Sequence, residues 1–205
     1  MKKQKINLLL FMKKGKPFFI SSQRNLPSLS EQGRLAGPAA GLKQKILGFY
    51  NQFKERFDPQ ETVCSTLHFA NQLHIVHPQS ISEQEAARIL DNFLSRSRKK
   101  HSFWMIIDTI LAMMGGILTP IPGPNLFFFY PAARAVSHYF ARRGVVNAQA
   151  LQEKGFTTSS LLDSIQDNID NLEAVETDIA RLENEFGCIH IERLLNKGRK
   201  QMEKT

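Results

Sequence analysis

The chain has 205 residues, enough for one domain or two small ones, and 27 basic against 19 acidic residues give it a formal net charge of +8. The charge is uneven: residues 1–100 contain 17 basic and 7 acidic residues, whereas residues 101–205 contain 10 basic and 12 acidic ones. The basic first half suits an anionic membrane surface or nucleic acid, and it fits an ordinary solvated surface equally well. Two cysteines, Cys64 and Cys188, without a CxxC motif indicate a reducing compartment and allow at most one disulfide.

The first hundred residues predict a small sheet with helices. Two apolar runs, Ile6–Met12 and Pro17–Ser21, are separated by a Lys-rich turn that contains Gly15, which is a β-hairpin pattern. A later run, Leu73–His77, predicts a third strand. A signal peptide is a poor fit because lysines follow the first apolar run at once, whereas a Lys-rich mitochondrial presequence stays open. We expect an α+β region over residues 1–100 with a three-stranded sheet.

Helices are expected between and after these strands. The stretch Arg24–Gly41 is rich in Pro, Gly and Ser and predicts a loop. Leu42–Phe57 repeats apolar residues at spacings of three and four, as an amphipathic helix does, and Glu61–Gln72 predicts a short helix. Ser82 and Glu85 form a capping-box pattern. The helix that they start has no breaker before the apolar stretch that follows, so we expect one continuous helix.

The most unusual stretch is an apolar arm, a rigid turn and an aromatic arm. The first arm, Phe103–Leu118, would span roughly 24 Å as a helix, which is short for a bilayer core, and Gly115 and Gly116 near its end suit close helix contact. The second arm starts with a run of aromatic residues at Leu126. Between the arms lies a turn predicted from residues that end helices, permit positive φ or cap the next helix: Pro120, Pro122, Gly123, Pro124 and Asn125.

The flanks of this stretch favour a membrane. Basic residues precede the first arm and follow the second, while the turn carries no charge, so the positive-inside rule places both ends on one side with the turn in or across the bilayer. We therefore expect a membrane-type helical hairpin over residues 101–144. The alternative is a buried helical hairpin in a soluble domain.

Three ionisable residues interrupt the hairpin: Asp108, Arg134 and His138. Ionisable groups within a membrane usually pair or line an ion path. We hypothesise that Asp108 faces Arg134, with His138 nearby as a titrating group. Alternatively, Arg134 and His138 extend to the interface and Asp108 bonds locally. These three residues are the predicted ion-path candidates.

Residues 145–205 predict a C-terminal helical region. Apolar residues from Leu162 to Phe186 alternate spacings of three and four, which indicates one long amphipathic helix ended by Gly187, with solvated acidic residues on its other faces. A last helix is expected over Cys188–Lys197. This region is interpreted as a soluble tail or an oligomerisation element.

The chain lacks convincing catalytic or cofactor motifs. No Walker A, GxGxxG, GxSxG or HExxH motif occurs, so we expect no enzyme activity and no cofactor. The spacing of His68, His74 and His77 fits no standard zinc pattern, and we expect no metal site. The aromatic residues lie in apolar runs and are not interleaved with basic ones, which argues against nucleic-acid binding.

Together, these features resemble one family. The segment LTPIPGPN at residues 118–125, followed by Arg134, the Ser137–Tyr139 triplet and Ala141–Gly144, resembles the signature of the mitochondrial K⁺/H⁺ exchange-related family. The resemblance covers roughly residues 65–145. It implies a non-enzymatic membrane protein linked to potassium and proton homeostasis, but it fixes no transport residue. The short chain without a clear presequence favours a bacterial relative.

The sequence thus predicts a mainly α, α+β membrane-hairpin protein linked to cation/proton exchange. Its expected partners are membrane lipids, and both a second copy of itself and another membrane protein stay open as further partners. No nucleic acid and no small-molecule substrate beyond ions is expected. The bacterial inner membrane is the expected location, with the mitochondrial inner membrane as the alternative. Two other functions stay open: a peripheral membrane scaffold and a soluble helical interaction protein.

Overall fold

The computed structural model describes residues 5–13, 15–22, 59–117, 126–151, 154–188 and 190–203. The elements found there follow one another as β1 (Lys5–Lys13), β2 (Lys16–Ser21), α1 (Pro59–Thr66), β3 (Gln72–His77), α2 (Glu83–Ile117), α3 (Leu126–Ala150), β4 (Lys154–Thr158), α4 (Ser160–Asp167), α5 (Glu176–Phe186) and α6 (Ile191–Glu203), with 3₁₀ turns at Leu67–Phe69 and Leu172–Val175. The predicted loop Arg24–Gly41, helix Leu42–Phe57 and turn residues Pro120, Pro122, Gly123, Pro124 and Asn125 lie outside the described residues.

The sheet has four strands in the order β2-β1-β3-β4. The predicted hairpin is confirmed: β1 and β2 pair antiparallel, with Phe11 opposite Phe18. The predicted third strand is confirmed as β3, which pairs parallel with β1. The three-stranded prediction was wrong by one strand, because β4 pairs parallel with the other edge of β3. β4 escaped prediction because it has five residues, KGFTT, with only one large apolar side chain.

Both faces of the sheet are covered, and this explains the nearly continuous apolar run in β1. Side chains alternate between the faces, so Ile6, Leu8 and Leu10 pack on one side and Leu9 and Phe11 on the other. The first core contains residues of α1, the start of α2 and the end of α3. The second core contains residues of α4, α5 and α6. The result is a mixed sheet between two helical layers.

The expected continuous helix is confirmed as α2, which has 35 residues and spans roughly 52 Å. Ser82 begins it, with its Oγ accepting a hydrogen bond from the backbone N–H of Glu85 at 3.2 Å. α3 runs antiparallel to α2, since Arg98 contacts Gln149 at one end while Gly115 lies against the Phe127 backbone at the other. Both helices cross a predicted region boundary, α2 at residue 100 and α3 at residue 144.

The prediction of a membrane-spanning hairpin is not supported. Among the residues described, none of the helices combines the length and the apolar content that crossing a bilayer requires. The physical reason lies in the sequence of the two helices. The apolar part of α2 is short and contains Asp108, while α3 contains Arg134, His138 and two further arginines.

The prediction of one long C-terminal helix was wrong. The apolar residues from Leu162 to Phe186 are buried as expected, but they lie on α4, a 3₁₀ turn and α5 and pack against the sheet. The break falls in the run Asp167–Asn171, whose Asp and Asn residues are poor helix formers. There, the Asn168 side-chain amide donates a hydrogen bond to the carbonyl oxygen of Ser164 at 3.0 Å, so a side chain satisfies a main-chain acceptor.

Candidate ion site between three helices

A cluster of polar side chains lies between α1, α2 and α3. Glu61 comes from α1, His101 and Asp108 from α2, and Ser137 and His138 from α3. All five are buried, with Glu61 exposed by 2% and His138 by 1%. Buried groups of this kind require partners, so their contacts decide what the cluster can do.

Helix spacing and close backbone contact bring these residues together. His101 and Asp108 are seven residues apart and therefore share a face of α2. On α3, Gly144 lets the helix approach α1 so closely that a Cβ atom there would lie 1.8 Å from the carbonyl oxygen of Cys64. Two turns before this contact, α3 presents Ser137 and His138 to Glu61.

The Glu61 carboxylate is the centre of the hydrogen-bond network. Nη1 of Arg134 donates to its Oε2 at 3.1 Å and to its Oε1 at 3.4 Å. The Ser137 hydroxyl donates to Oε1 at short range. Charge-assisted bonds of this kind are the stronger ones, and here they hold α1 against α3.

The ring of His138 connects three members of the cluster. Its Nδ1 lies 2.9 Å from Nδ1 of His101, and its Nε2 lies 2.9 Å from Nη2 of Arg134. A guanidinium only donates, so Nε2 of His138 accepts and the proton of the neutral ring sits on Nδ1. That proton is donated to His101, whose own proton then resides on Nε2.

Asp108 lies on the far side of the same ring. Its Oδ2 is 3.4 Å from Nε2 of His138 and is a buried acceptor without a hydrogen-bond partner. Burial raises the pKa of this carboxyl; the charge of Arg134 opposes that effect, and the charge of Glu61 adds to it. Asp108 is therefore the least satisfied carboxylate of the cluster.

Three of these side chains could hold a metal ion. Glu61, His101 and His138 each offer one ligand atom, and these atoms lie within 4.8 Å of one another. The sequence predicts no metal site, since a ligand pattern is recognisable only when the ligands lie close together along the chain. These ligands come from three helices, and the chain between them carries no motif.

The structure brings the three predicted candidates together: Asp108 and His138 belong to the cluster, and Arg134 contacts it. Asp108 and Arg134, which we hypothesised to face each other, are linked through His138. Asp108 contacts His138, while Arg134 contacts both His138 and Glu61. Their role in an ion path stays a prediction.

Sequence reasoning gave no role to Glu61, His101 or Ser137. His101 could have been found, since it lies seven residues before Asp108 on the same helix face. Ser137 is part of the quoted signature. Glu61 has no signal of its own, because acidic residues are common in the first turn of a helix.

The other histidines that the sequence analysis considered do not join the cluster. His68 packs near the ring of Phe140, and burial lowers its pKa, with the charge of Arg143 adding to that effect. His74 contacts the hydroxyl of Thr157 at 2.8 Å. His77 contacts the carbonyl oxygen of Pro78 at 3.0 Å. Each serves its local structure.

Exposed apolar side chains lie on the two helices, α2 and α3, that carry four of the five cluster residues. In the described part of the chain, every large hydrophobic side chain that is exposed belongs to α2 or α3: Phe103, Trp104, Ile106, Ile110, Leu111, Met113, Met114, Phe127, Tyr130, Tyr139 and Val146. We call these residues the apolar belt. Met113 is 63% exposed and Phe127 78%. Neither core of the sheet includes a residue between 95 and 140.

Basic side chains border the apolar belt on the side of the sheet. Arg96, Arg98, Lys99 and Lys100 are exposed at this level of α2, and Arg143 is exposed on α3. The two helices are in register here, because Nε of Arg142 donates to the hydroxyl of Ser102 at 3.1 Å. Contiguous exposed apolar surface with a polar rim marks an interaction site.

Together, the fold and the site define an α+β protein in which two long helices extend an apolar surface beyond the sheet and enclose a polar cluster. The family model described as mitochondrial K⁺-H⁺ exchange-related matches residues 31–152, more than half of the chain. The chain belongs to this family. Comparison with curated proteins and with solved structures found no match.

Proposed function

We propose that this protein acts in potassium and proton exchange at a membrane surface, without catalysing a chemical reaction. The family relation supports the link to K⁺/H⁺ exchange. The observation that carries the membrane part is the apolar belt, because the exposed large hydrophobic side chains of the described residues all lie on α2 and α3. Membrane lipids are the proposed partner.

The charges next to the apolar belt fit an orientation in which the apolar belt faces the membrane. Exposed Arg and Lys side chains at one level of the helix pair attract anionic headgroups, each contributing about 1 kcal/mol near the surface. Trp104 and Tyr139 belong to the apolar belt, and such aromatic residues favour the boundary between lipid and water. The apolar belt then enters the bilayer from one side while the sheet stays outside.

The cluster beneath the apolar belt is the proposed ion-responsive element. Asp108, Arg134 and His138 stay the candidate residues, and Glu61 joins them through its bonds to Arg134 and Ser137. One helix pair encloses no pore, so we propose that the protein works as a homo-oligomer or with another membrane protein. The family description supports a mitochondrial location, where we propose the inner membrane, and it gives no support to a bacterial one.

Exchange is tested with potassium-loaded proteoliposomes that contain a pH-sensitive dye. The wild-type protein is expected to produce a proton flux that depends on the potassium gradient, and Asp108→Asn is expected to reduce that flux. The matched control is Asp91→Asn, an exposed position on the same helix, which is expected to leave the flux unchanged. A wild-type flux equal to that of empty vesicles would overturn the proposed exchange.

A further inference from the structure

We infer that Glu61, His101 and His138 form a binding site for a divalent transition-metal ion, with Zn²⁺ as the expected ion. The three residues are buried and each offers one ligand atom within 4.8 Å of the others. We assign these atoms as one carboxylate oxygen of Glu61 and Nδ1 of each histidine, because the two Nδ1 atoms lie 2.9 Å apart. This inference goes beyond the proposed exchange function and does not depend on it.

The distances suit a four-coordinate ion. Zinc binds nitrogen and carboxylate ligands at about 2.0–2.2 Å, which separates the ligand atoms of a tetrahedral site by about 3.3–3.6 Å. Nδ1 of His138 lies 2.9 Å from Nδ1 of His101 and 3.7 Å from Oε1 of Glu61. These two values lie on either side of the required separation, and the third pair of ligand atoms lies within 4.8 Å, so side-chain shifts of up to about an ångström bring the three ligands to one ion. Three protein ligands leave a fourth position open.

The donor types select the class of ion. Two imidazole nitrogens with one carboxylate suit Zn²⁺ and its first-row neighbours. Ca²⁺ and Mg²⁺ prefer sites made of oxygen ligands, whereas two of these three ligand atoms are nitrogen. The three ligands lie on three different helices, α1, α2 and α3, which hold them in place.

The unpartnered oxygen of Asp108 is an independent observation that points to the same ion. A metal on Nδ1 of His138 requires the ring proton on Nε2, and that proton then faces Oδ2 of Asp108 at 3.4 Å. Metal-binding histidines usually donate their other N–H to a carboxylate in this way. Metal binding thus supplies the donor that Asp108 lacks.

Arg134 supplies the competing positive charge in the metal-free protein. Its guanidinium donates to Glu61 and to Nε2 of His138, which selects the tautomer that cannot bind a metal through Nδ1. Its side chain is 21% exposed, so it has access to solvent when the ion enters. The site therefore exchanges an arginine contact for a metal ion.

The test uses the purified full chain after treatment with a chelator. Zn²⁺ binding is measured by calorimetry, and Co²⁺ serves as a probe whose visible absorption reports tetrahedral coordination. One ion per chain is expected for the wild type, with an increase in the melting temperature. Glu61→Gln and His101→Gln are expected to lose this binding, whereas the control His74→Gln is expected to keep it.

Two further variants separate binding from folding. Asp108→Asn keeps all three ligands and is expected to weaken Zn²⁺ binding by about 10- to 100-fold. Arg134→Gln removes the competing charge and is expected to bind at least as tightly as the wild type. Circular dichroism of the chelated variants verifies that each one folds. Absence of wild-type binding, or equal binding in Glu61→Gln, Asp108→Asn and His74→Gln, would overturn the inference.

Discussion

Nη1 of Arg134 lies 3.1 Å from Oε2 of Glu61, and this ion pair joins α3 to α1 inside the protein. Glu61 is almost fully buried, so the pair fixes the position of its carboxylate and, through the second Nη atom of Arg134, the ring of His138. The candidate site thus depends on one contact between two helices that are distant in the sequence.

Removing the arginine should destabilise the metal-free protein. Arg134→Gln leaves a buried carboxylate without its counter-charge, and the loss of one partner from a buried pair costs about 3–5 kcal/mol. Arg96→Gln removes an exposed arginine from α2 and is expected to change the free energy of unfolding by less than about 0.5 kcal/mol. Denaturant unfolding of both variants measures the difference. Equal effects of the two substitutions would show that the Glu61 pair is not buried as described.

The contact between α2 and α3 near the end of the pair predicts opposite effects for two adjacent glycines. A Cβ atom on Gly115 would lie 2.3 Å from the backbone oxygen of Phe127, whereas one on Gly116 would lie 3.7 Å from the Phe128 side chain. Gly115→Ala is therefore expected to destabilise by about 1–3 kcal/mol or more. Gly116→Ala is expected to be neutral or to stabilise by up to about 1 kcal/mol. Thermal unfolding compares them, and a harmless Gly115→Ala would contradict the close helix contact.

The free energy of unfolding of Asp108→Asn, relative to wild type, is expected to depend on pH. Burial raises the pKa of the Asp108 carboxyl, so the folded state favours the protonated form. The stabilisation that this form provides is complete below the ordinary pKa and is lost as the pH rises through the folded-state value. Asp108→Asn avoids that loss. In chelated protein, its free energy of unfolding relative to wild type should therefore rise between pH 4 and pH 7, and a difference independent of pH would argue against burial as the cause.

The thiol of Cys188 is expected to be unreactive in the folded protein. Burial and, to a smaller extent, the charge of Glu183 together raise its pKa to about 12. At pH 8 the thiolate, which is the reactive form, is therefore nearly absent. A colorimetric thiol reagent should react slowly with the native chain and should detect both cysteines after unfolding. Rapid reaction of Cys188 in native protein would contradict its place in the second core.

The sequence was sufficient for elements with a strong local pattern. The apolar runs of β1, β2 and β3, the cap at Ser82 and the unbroken start of α2 all carry signals within one segment. β4 and the break at Asp167–Asn171 were missed because a short polar edge strand and a polar run inside an amphipathic repeat have weak local signals. Pairing with β3 makes the segment of β4 a strand, and packing against the sheet determines where the helix breaks.

The candidate site was predictable only in part, for a related reason. Asp108, Arg134 and His138 stood out because they interrupt an apolar stretch, and that signal is local. Glu61 and His101 belong to the cluster through the packing of α1 and α2 against α3, which no spacing along the chain encodes. Small residues such as Gly144 decide how near the helices come, and their effect is visible only in three dimensions.

The most direct measurement of the membrane proposal is flotation with vesicles that contain anionic lipid. The wild-type chain is expected to float with the vesicles, and the double substitution Ile110→Asp with Met113→Asp, which charges two exposed positions of the apolar belt, is expected to abolish flotation. Thr177→Asp with Ala180→Asp adds the same charge at the same spacing, on exposed positions of α5 away from the apolar belt and its basic border, and is expected to float like the wild type. A wild-type chain that stays in the aqueous fraction, or a belt variant that floats as well as its control, would contradict the account.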